Sequence, residues 1–350
     1  MSGGKRPTPV TKRSAARVQS LKSPVFPLPD TAMSHPIRAR IDAFSQQKRV
    51  HANSLIISVF GDMVVPRGGR IWLGSLIRLL EPLGLNERLV RTSVFRLARD
   101  QWLRTEALGR RSDYLLTPSG QRRFDEASRH IYASHAPLWD RRWRLILGVG
   151  QLEQKDREGL RRALFWQGFG AIGPDLFVHP SADLSAAFDA LVAEGFADLL
   201  GRLMPLLAAD ARLGGTASNG DLVARAWDLD ELAQSYVQFV AAYMPTLAEL
   251  RRDRAAAIDE EEAFLMRLLL IHDYRRLLLR DPELPDVLVP AGWPGQTARV
   301  LCKELYRRLQ APSERHLERC FSTADGACPA LDPMVRERFP EDDPLAAIAP

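Results

Sequence analysis

Apolar positions in the stretch VRTSVFRLARDQWL, residues 90–103, fall at helical spacing. Val90, Val94 and Leu97 recur at i, i+4 and i+7, which predicts a helix with one buried face. Asn86, just ahead of it, is placed to cap that helix. Upstream, SLIISVFGDMVVP from Ser54 predicts a helix running into a turn, and RGGRIWLGSLIRLLEPLGL a second helix stopped near Pro82 and Gly84. Downstream, LRTEALGRRSDYLLTPSG predicts two short strands joined by a turn at Gly109 to Arg111.

From Trp139 the pattern changes. RRWRLILGVG is a short apolar strand, EQKDREGLRRALFWQGFG an amphipathic helix and DLFVHP another strand. Further on, DLVARAWDL reads as a strand and LDELAQSYVQFVAAYMPTLAEL as a long helix, so this part suits a small ferredoxin-like unit. EEAFLMRLLLIHDYRRLLLRDPELP and PGQTARVLCKELYRRLQ are helical, separated by the Pro-rich DPELPDVLVPAGWPG. The expected class is α+β, divided into a basic disordered tail (1–50), a winged helix-turn-helix domain (51–136), a central ferredoxin-like domain (137–256), a helical C-terminal domain (257–325) and a second tail (326–350).

The polar face of the third helix gives this order a function. It carries Arg88, Arg91, Thr92, Arg96 and Arg99, with Ser93 beside them and Asp100 the only acid from Val90 to Leu103. In a winged helix-turn-helix the third helix enters the major groove, where Arg bonds guanine edges and Thr or Ser reaches bases or phosphates. Arg110 and Arg111 at the hairpin tip would lie over the DNA backbone or minor groove.

Composition agrees. Residues 1–145 hold 26 Lys and Arg against 11 Asp and Glu, whereas residues 146–350 hold 22 against 32. A basic module joined to an acidic one favours an anionic partner for the first half. Residues 1–35 are rich in Ser, Pro, Lys and Arg and too polar to fold alone. No run approaches the roughly 18 uncharged apolar residues that a membrane span needs. Cys302, Cys320 and Cys328 lack tight spacing. A cytoplasmic protein without a disulfide framework is expected.

Other motifs carry less. Gly168, Gly170 and Gly173 spell G-x-G-x-x-G, but a helix precedes them and a strand follows, the reverse of a dinucleotide site, so they read as a helix stop and turn. His316, Cys320 and Cys328 lack the fourth ligand and close Cys pair of a zinc site. Ser45 and Lys48 form S-x-x-K without the partner motifs of a hydrolase. No cofactor, metal or catalytic set is expected. The alternative to a DNA-binding regulator is a metal-dependent nuclease built on the central domain, which would need carboxylates at a strand end that RRWRLILGVG does not supply. In IHDYRR, Ile271 and Arg275 share a helical face, as do His272 and Arg276. His272, Tyr274, Arg275 and Arg276 would then line a mouth for phosphate or carboxylate, or form a helix edge with solvated arginines and a core-capping histidine.

As an ordered set, SLIISVFGD, ERLVRTSVFRLARDQWL with GRRSDYLLTPSG, WDRRWRLILG, LRRALFWQGFGAIGPDLFVHP and IHDYRRLLLRDPELPDVLVPAGWPG resemble the PaaX family of bacterial repressors of phenylacetate catabolism, over about residues 52–310. The resemblance implies a winged-helix DNA-binding domain, a ferredoxin-like domain similar to small CRISPR adaptation nucleases, and a helical C-terminal domain. It also implies a homodimeric repressor released from operator DNA by an aryl-CoA thioester, typically phenylacetyl-CoA. By position, Arg88, Arg91, Thr92, Arg96, Arg110, Arg111 and Tyr114 match the family's DNA-reading block, and His272, Tyr274 and Arg275 its late motif. The phosphates of a CoA need cations, for which Arg161, Arg162, Arg275 and Arg276 are the candidates in the acidic half. Two stretches depart from the family pattern, the polar GVGQLEQKDREG and the Ala- and Leu-rich ADLLGRLMPLLAADARLGGTASNG.

Overall fold

A computed structural model describes residues 35–47, 50–209, 216–252 and 258–340. The expected disordered tail over residues 1–34 and the last ten residues of the expected second tail, 341–350, lie outside the described residues. The basic tail does not extend to residue 50, however. Helix α1 (Pro36–Ser45) starts on a proline and buries Ile37, Ile41 and Phe44, spaced i, i+4 and i+7. Polar neighbours hide that stripe in the composition of the segment.

Helix α2 (Ala52–Val59) continues through a π-turn (Phe60–Val64) and a 3-10 turn (Val65–Arg67). Gly68 and Gly69, both at positive φ, turn the chain into strand β1 (Arg70–Trp72). The second helix is therefore shorter than its sequence pattern suggests: α3 spans Leu73–Leu80, because Arg70, Ile71 and Trp72 pair with a strand further on. Gly84, with φ of 80°, ends the following 3-10 turn. Next come α4 (Glu87–Arg99), β2 (Leu103–Leu108), β3 (Arg111–Leu116) and α5 (Pro118–Ile131). The antiparallel sheet has the order β1-β3-β2.

The middle of the chain runs β4 (Arg142–Gly148), α6 (Gln154–Trp166), β5 (Gly170–Ala171), β6 (Leu176–His179), α7 (Leu184–Ala193) and β7 (Leu203–Ala209). The sheet order β5-β6-β4-β7, antiparallel throughout, is the expected ferredoxin-like topology. Gly168 and Gly173, at positive φ on either side of β5, make the expected stop and turn. One face of the sheet packs Ile146 and Phe177 against Leu160, Leu164 and Leu191 of α6 and α7. The other packs Trp143 and Val178 against Val223, Trp227, Leu284 and Leu288.

DLVARAWDL is not a strand. It lies in helix α8 (Asn219–Ala226) and the residues after it, and the helix opens with a capping box of Ser218 and Asp221. Helices α9 (Asp230–Arg252), α10 (Glu260–Leu278) and α11 (Pro294–Cys320) follow. Helix α9, placed at the sequence level with the central domain, packs on α10 and α11. One core runs without a break through α1 to α5 and α9 to α11, so the N-terminal unit and the helical bundle fold around shared apolar residues. The segment expected to be a C-terminal tail packs as well, up to Pro340: Phe339 is fully buried and contacts the rings of Tyr132 and Tyr306. Burying one such ring contributes about 1.5–3 kcal/mol. Among the described residues no helix is long and apolar enough to cross a membrane.

Candidate functional site

The Asn86 side chain accepts the Leu89 amide at 2.9 Å and caps α4, while Val90, Val94 and Leu97 are buried against α2, α3 and β2. That anchoring leaves Arg88, Arg91, Thr92, Arg96 and Arg99 exposed on the outer face. Their electrostatic states differ. Arg91 pairs with Glu87 at 2.6 Å and Arg99 with Asp100 at 3.2 Å, whereas Arg88 and Arg96 have no acid partner among the described residues. Thr92 donates its hydroxyl to the Arg88 carbonyl at 2.8 Å.

Three expected members of this surface are placed differently. Ser93 is buried at 2 % exposure, because it follows Thr92 by 100° of helix and turns toward the core with Val90 and Val94. Arg111 stacks over Trp72 with 4.6 Å from its guanidinium carbon to the ring centroid and reaches the Ala324 carbonyl, so of the two tip arginines Arg110 alone stands clear. Tyr114 lies midway along β3, opposite Ile71 and Thr105, half-buried against the core. The turn between β2 and β3 is Gly109-Arg110, with Gly109 at φ 57° and Leu108 paired to Arg111.

The mouth expected on α10 does not form. His272 is buried, with Nδ1 3.2 Å from the Ser58 hydroxyl, and burial together with Arg275, Arg276 and Arg40 holds its pKa well below the usual imidazole range. Arg275 donates to the Ser54 hydroxyl at 2.6 Å, the Ser54 carbonyl at 3.0 Å and the Ser58 hydroxyl at 3.2 Å, which fastens α10 to α2. Arg276 is half-exposed. Arg161 and Arg162 are exposed on α6, in the layer over the central sheet, and do not join the α10 residues.

Tyr274 does face a cavity. About 200 Å³ of space lies where α5, the segment leading to β4, and the ends of α10 and α11 meet, lined by Tyr274, Leu278, Leu284, Trp293, Arg299 and His135 among others. Its rim holds His130 and Glu283, an ion pair between α5 and the loop after α10. That hydrogen bond with Glu283 raises the pKa of His130.

Beneath the surface, Asp62 joins the N-terminal unit to the bundle. Its carboxylate accepts Arg267 Nε at 2.8 Å, Tyr132 at 2.6 Å, Tyr306 at 2.9 Å and an Arg338 NH group at 2.8 Å. Arg267 also pairs with Glu314, which in turn pairs with Arg67. Arg267 and Arg338 hold the Asp62 carboxyl below its ordinary value against the opposing effect of burial. On α1, buried Arg40 pairs with Asp273, to which Tyr243 donates at 2.6 Å. Sequence reasoning finds none of these ties, since even the nearest partners lie 30 residues apart and Asp62–Arg267, Arg67–Glu314 and Arg40–Asp273 each span more than 200. It also passes over Phe95, which is 68 % exposed on the outer face of α4. The helical spacing that sends Val94 inward was the available signal for Phe95.

Two acids at strand ends among the described residues are tied up by arginines: Asp140, just ahead of β4, accepts from Arg144 at 2.6 Å, and Asp175, just ahead of β6, accepts from Arg157 at 2.8 Å. Among the described residues no group of three or more His, Cys, Asp or Glu side chains is placed to hold a metal ion.

Comparison with known proteins matches three family models in order along the chain: PaaX-like protein at residues 51–120, PaaX protein central Cas2-like domain at 136–200, and PaaX-like protein C-terminal domain at 227–319. The chain is 38 % identical over 308 residues to the transcriptional repressor PaaX of Escherichia coli strain K12, covering 86 % of this chain and 95 % of that protein. Among solved structures it is similar to the uncharacterized protein Rv0674 from Mycobacterium tuberculosis, at 24 % identity and a TM-score of 0.46, covering 75 % of this chain and 98 % of that one.

Proposed function

The chain belongs to the PaaX family, and from that premise we propose that it is a cytoplasmic, homodimeric, DNA-binding transcriptional repressor of an aromatic, phenylacetate-type catabolic operon, released from its operator by an aryl-CoA thioester such as phenylacetyl-CoA. The outward face of α4 carries this reading: a capped helix, held by its apolar side, presents Arg88, Thr92 and Arg96 with both arginines free of acids. The order helix, strand, helix, helix, hairpin, with β1 paired to β3, supports a winged helix-turn-helix in which α4 enters the major groove. Arg110 at the hairpin tip then reaches the backbone and adds salt-dependent affinity.

The cavity at the meeting of α5, α10 and α11 supports the effector half of the proposal. Its lining is part apolar, from Tyr274, Leu278, Leu284 and Trp293, and part charged, from His130, Asp281, Glu283, Asp286 and Arg299, so only the apolar part suits the aryl end of a thioester, with the nucleotide left outside. Release requires the effector to prefer the conformation that does not hold the operator, since equal affinity for both shifts nothing. The cavity wall includes the end of α5, the helix that follows the hairpin, so a ligand seated there bears on the DNA-binding unit directly.

A gel shift of the purified protein on DNA upstream of its own gene tests both halves. Retention lost with phenylacetyl-CoA and kept with free phenylacetate is expected. Retention unchanged by any aryl-CoA refutes the effector, and no retention on any duplex refutes the repressor.

A further inference from the structure

Phe95 stands at the centre of the outer face of α4. At about 100° per residue, it lies one turn from Arg91 and Thr92 on one side and from Arg99 on the other, and nearly in line with Arg88 two turns back. It is 68 % exposed and takes part in no ring stacking or cation–π contact among the described residues. Single exposed apolar side chains are common on protein surfaces and need no partner. A phenyl ring surrounded by arginines on a helix anchored from behind is a different case: whatever covers it must be anionic at its edges and apolar at its centre.

The major groove offers that combination. Phosphates flank it, and the 5-methyl group of thymine is the apolar group on its floor. We propose that Phe95 is a specificity-determining residue that packs on a thymine methyl in the operator half-site, with Arg88 and Arg96 beside it taking base edges or phosphates. This rests on the DNA-binding reading above and adds to it a base preference carried by packing, with no hydrogen bond. An acidic protein partner would also satisfy the charges, but it would not discriminate one methyl group on a base.

The test removes the methyl and nothing else. Duplexes selected from a random pool by the full-length protein are resynthesised with deoxyuridine in place of each thymine in turn, which leaves every hydrogen-bonding group intact. Wild-type protein is expected to lose about three- to five-fold in affinity at one position per half-site, the factor that burying one carbon is worth. Phe95→Ala, whose side chain supports no core contact, is expected to bind the thymine and deoxyuridine duplexes equally. A selected site with no thymine under α4, wild-type affinity unchanged by every deoxyuridine, or discrimination that survives in Phe95→Ala would each overturn the proposal. If the pool yields no bound duplex, the DNA-binding reading fails first and the proposal with it.

Discussion

Asp62 ties the N-terminal unit to the helical bundle, and Asp62→Asn is the perturbation that isolates it. The buried cluster holds three guanidiniums, Arg67, Arg267 and Arg338, against two carboxylates, Asp62 and Glu314. It already carries an excess positive charge, and neutralising Asp62 leaves three cations facing one anion. Arg338 then loses its carboxylate, and Arg267, with no exposed surface, keeps Glu314 alone. Asn keeps the shape and one acceptor, so the loss is electrostatic rather than steric. Removing one partner from a buried pair costs about 3–5 kcal/mol, a large share of the roughly 5–15 kcal/mol that holds a typical protein folded. Urea unfolding followed by circular dichroism reads this loss. Because the folded state holds the Asp62 pKa below its ordinary value, its contribution is full above the unfolded carboxylate range and disappears as pH falls through the lower folded value. Acid unfolding of the wild type should therefore contain a component that Asp62→Asn lacks. A urea loss below about 1 kcal/mol, the worth of an exposed pair, would refute the reasoning.

Three further outcomes follow from the same geometry. Arg96→Ala should weaken operator binding by about 1–3 kcal/mol with relaxed preference at one base pair if the guanidinium reads a base, or lower the salt-dependence slope by about one if it holds a phosphate; duplex titrations across a salt series that match wild type would sink both. Glu283→Gln should lower the pKa of His130 toward the ordinary value of about 6.5, since Glu283 is what raises it. The ion pair adds stability that is full below the unfolded histidine value and fades as pH rises through the folded one, and an unmoved NMR titration of His130 would contradict this. Leu278→Trp should fill the cavity, leaving DNA retention intact while phenylacetyl-CoA no longer releases it; release at the wild-type concentration would place the effector elsewhere.

How much of this was legible in the sequence depended on whether the deciding contact was local. The cap, apolar stripe and arginine face of helix α4 could be read because they lie within 14 residues, from Asn86 to Arg99. The hairpin was readable from Gly109, and α10 and α11 from their apolar density. Helix α8 was misread because DLVARAW alternates well enough to suggest a strand, although Ser218 and Asp221 already spelled a cap. Strand β7 went unseen because LMPLLAA is poor in β-branched residues, and only its register with β4 makes it a strand. Ser93 and Arg111 were assigned to the outer surface by residue type. The first is turned inward by helix phase, whereas the second stays exposed at the hairpin tip and stacks there on an aromatic ring from another element.

The charge division changes meaning in the same way. A basic first half and an acidic second half suggested a polyanion for the first, but some of those charges meet one another across the two halves, two pairs on the surface and two in the interior. Arg38 pairs with Glu262, Arg40 with Asp273, Arg67 with Glu314 and His130 with Glu283, in each case a cation from the first half and an acid from the second. The asymmetry is in part the complementarity of two packed units, and net charge alone would overstate the case for DNA. What survives this discount is smaller and more specific. Arg88, Arg96 and Arg110 have no acid partner among the described residues, and all three lie exposed on the outer face of α4 or at the hairpin tip. An arginine already paired must break that pair before it reaches a phosphate, whereas these three need break none. They should therefore dominate the salt dependence of binding, and Arg91, held by Glu87, should contribute less until Glu87 is replaced.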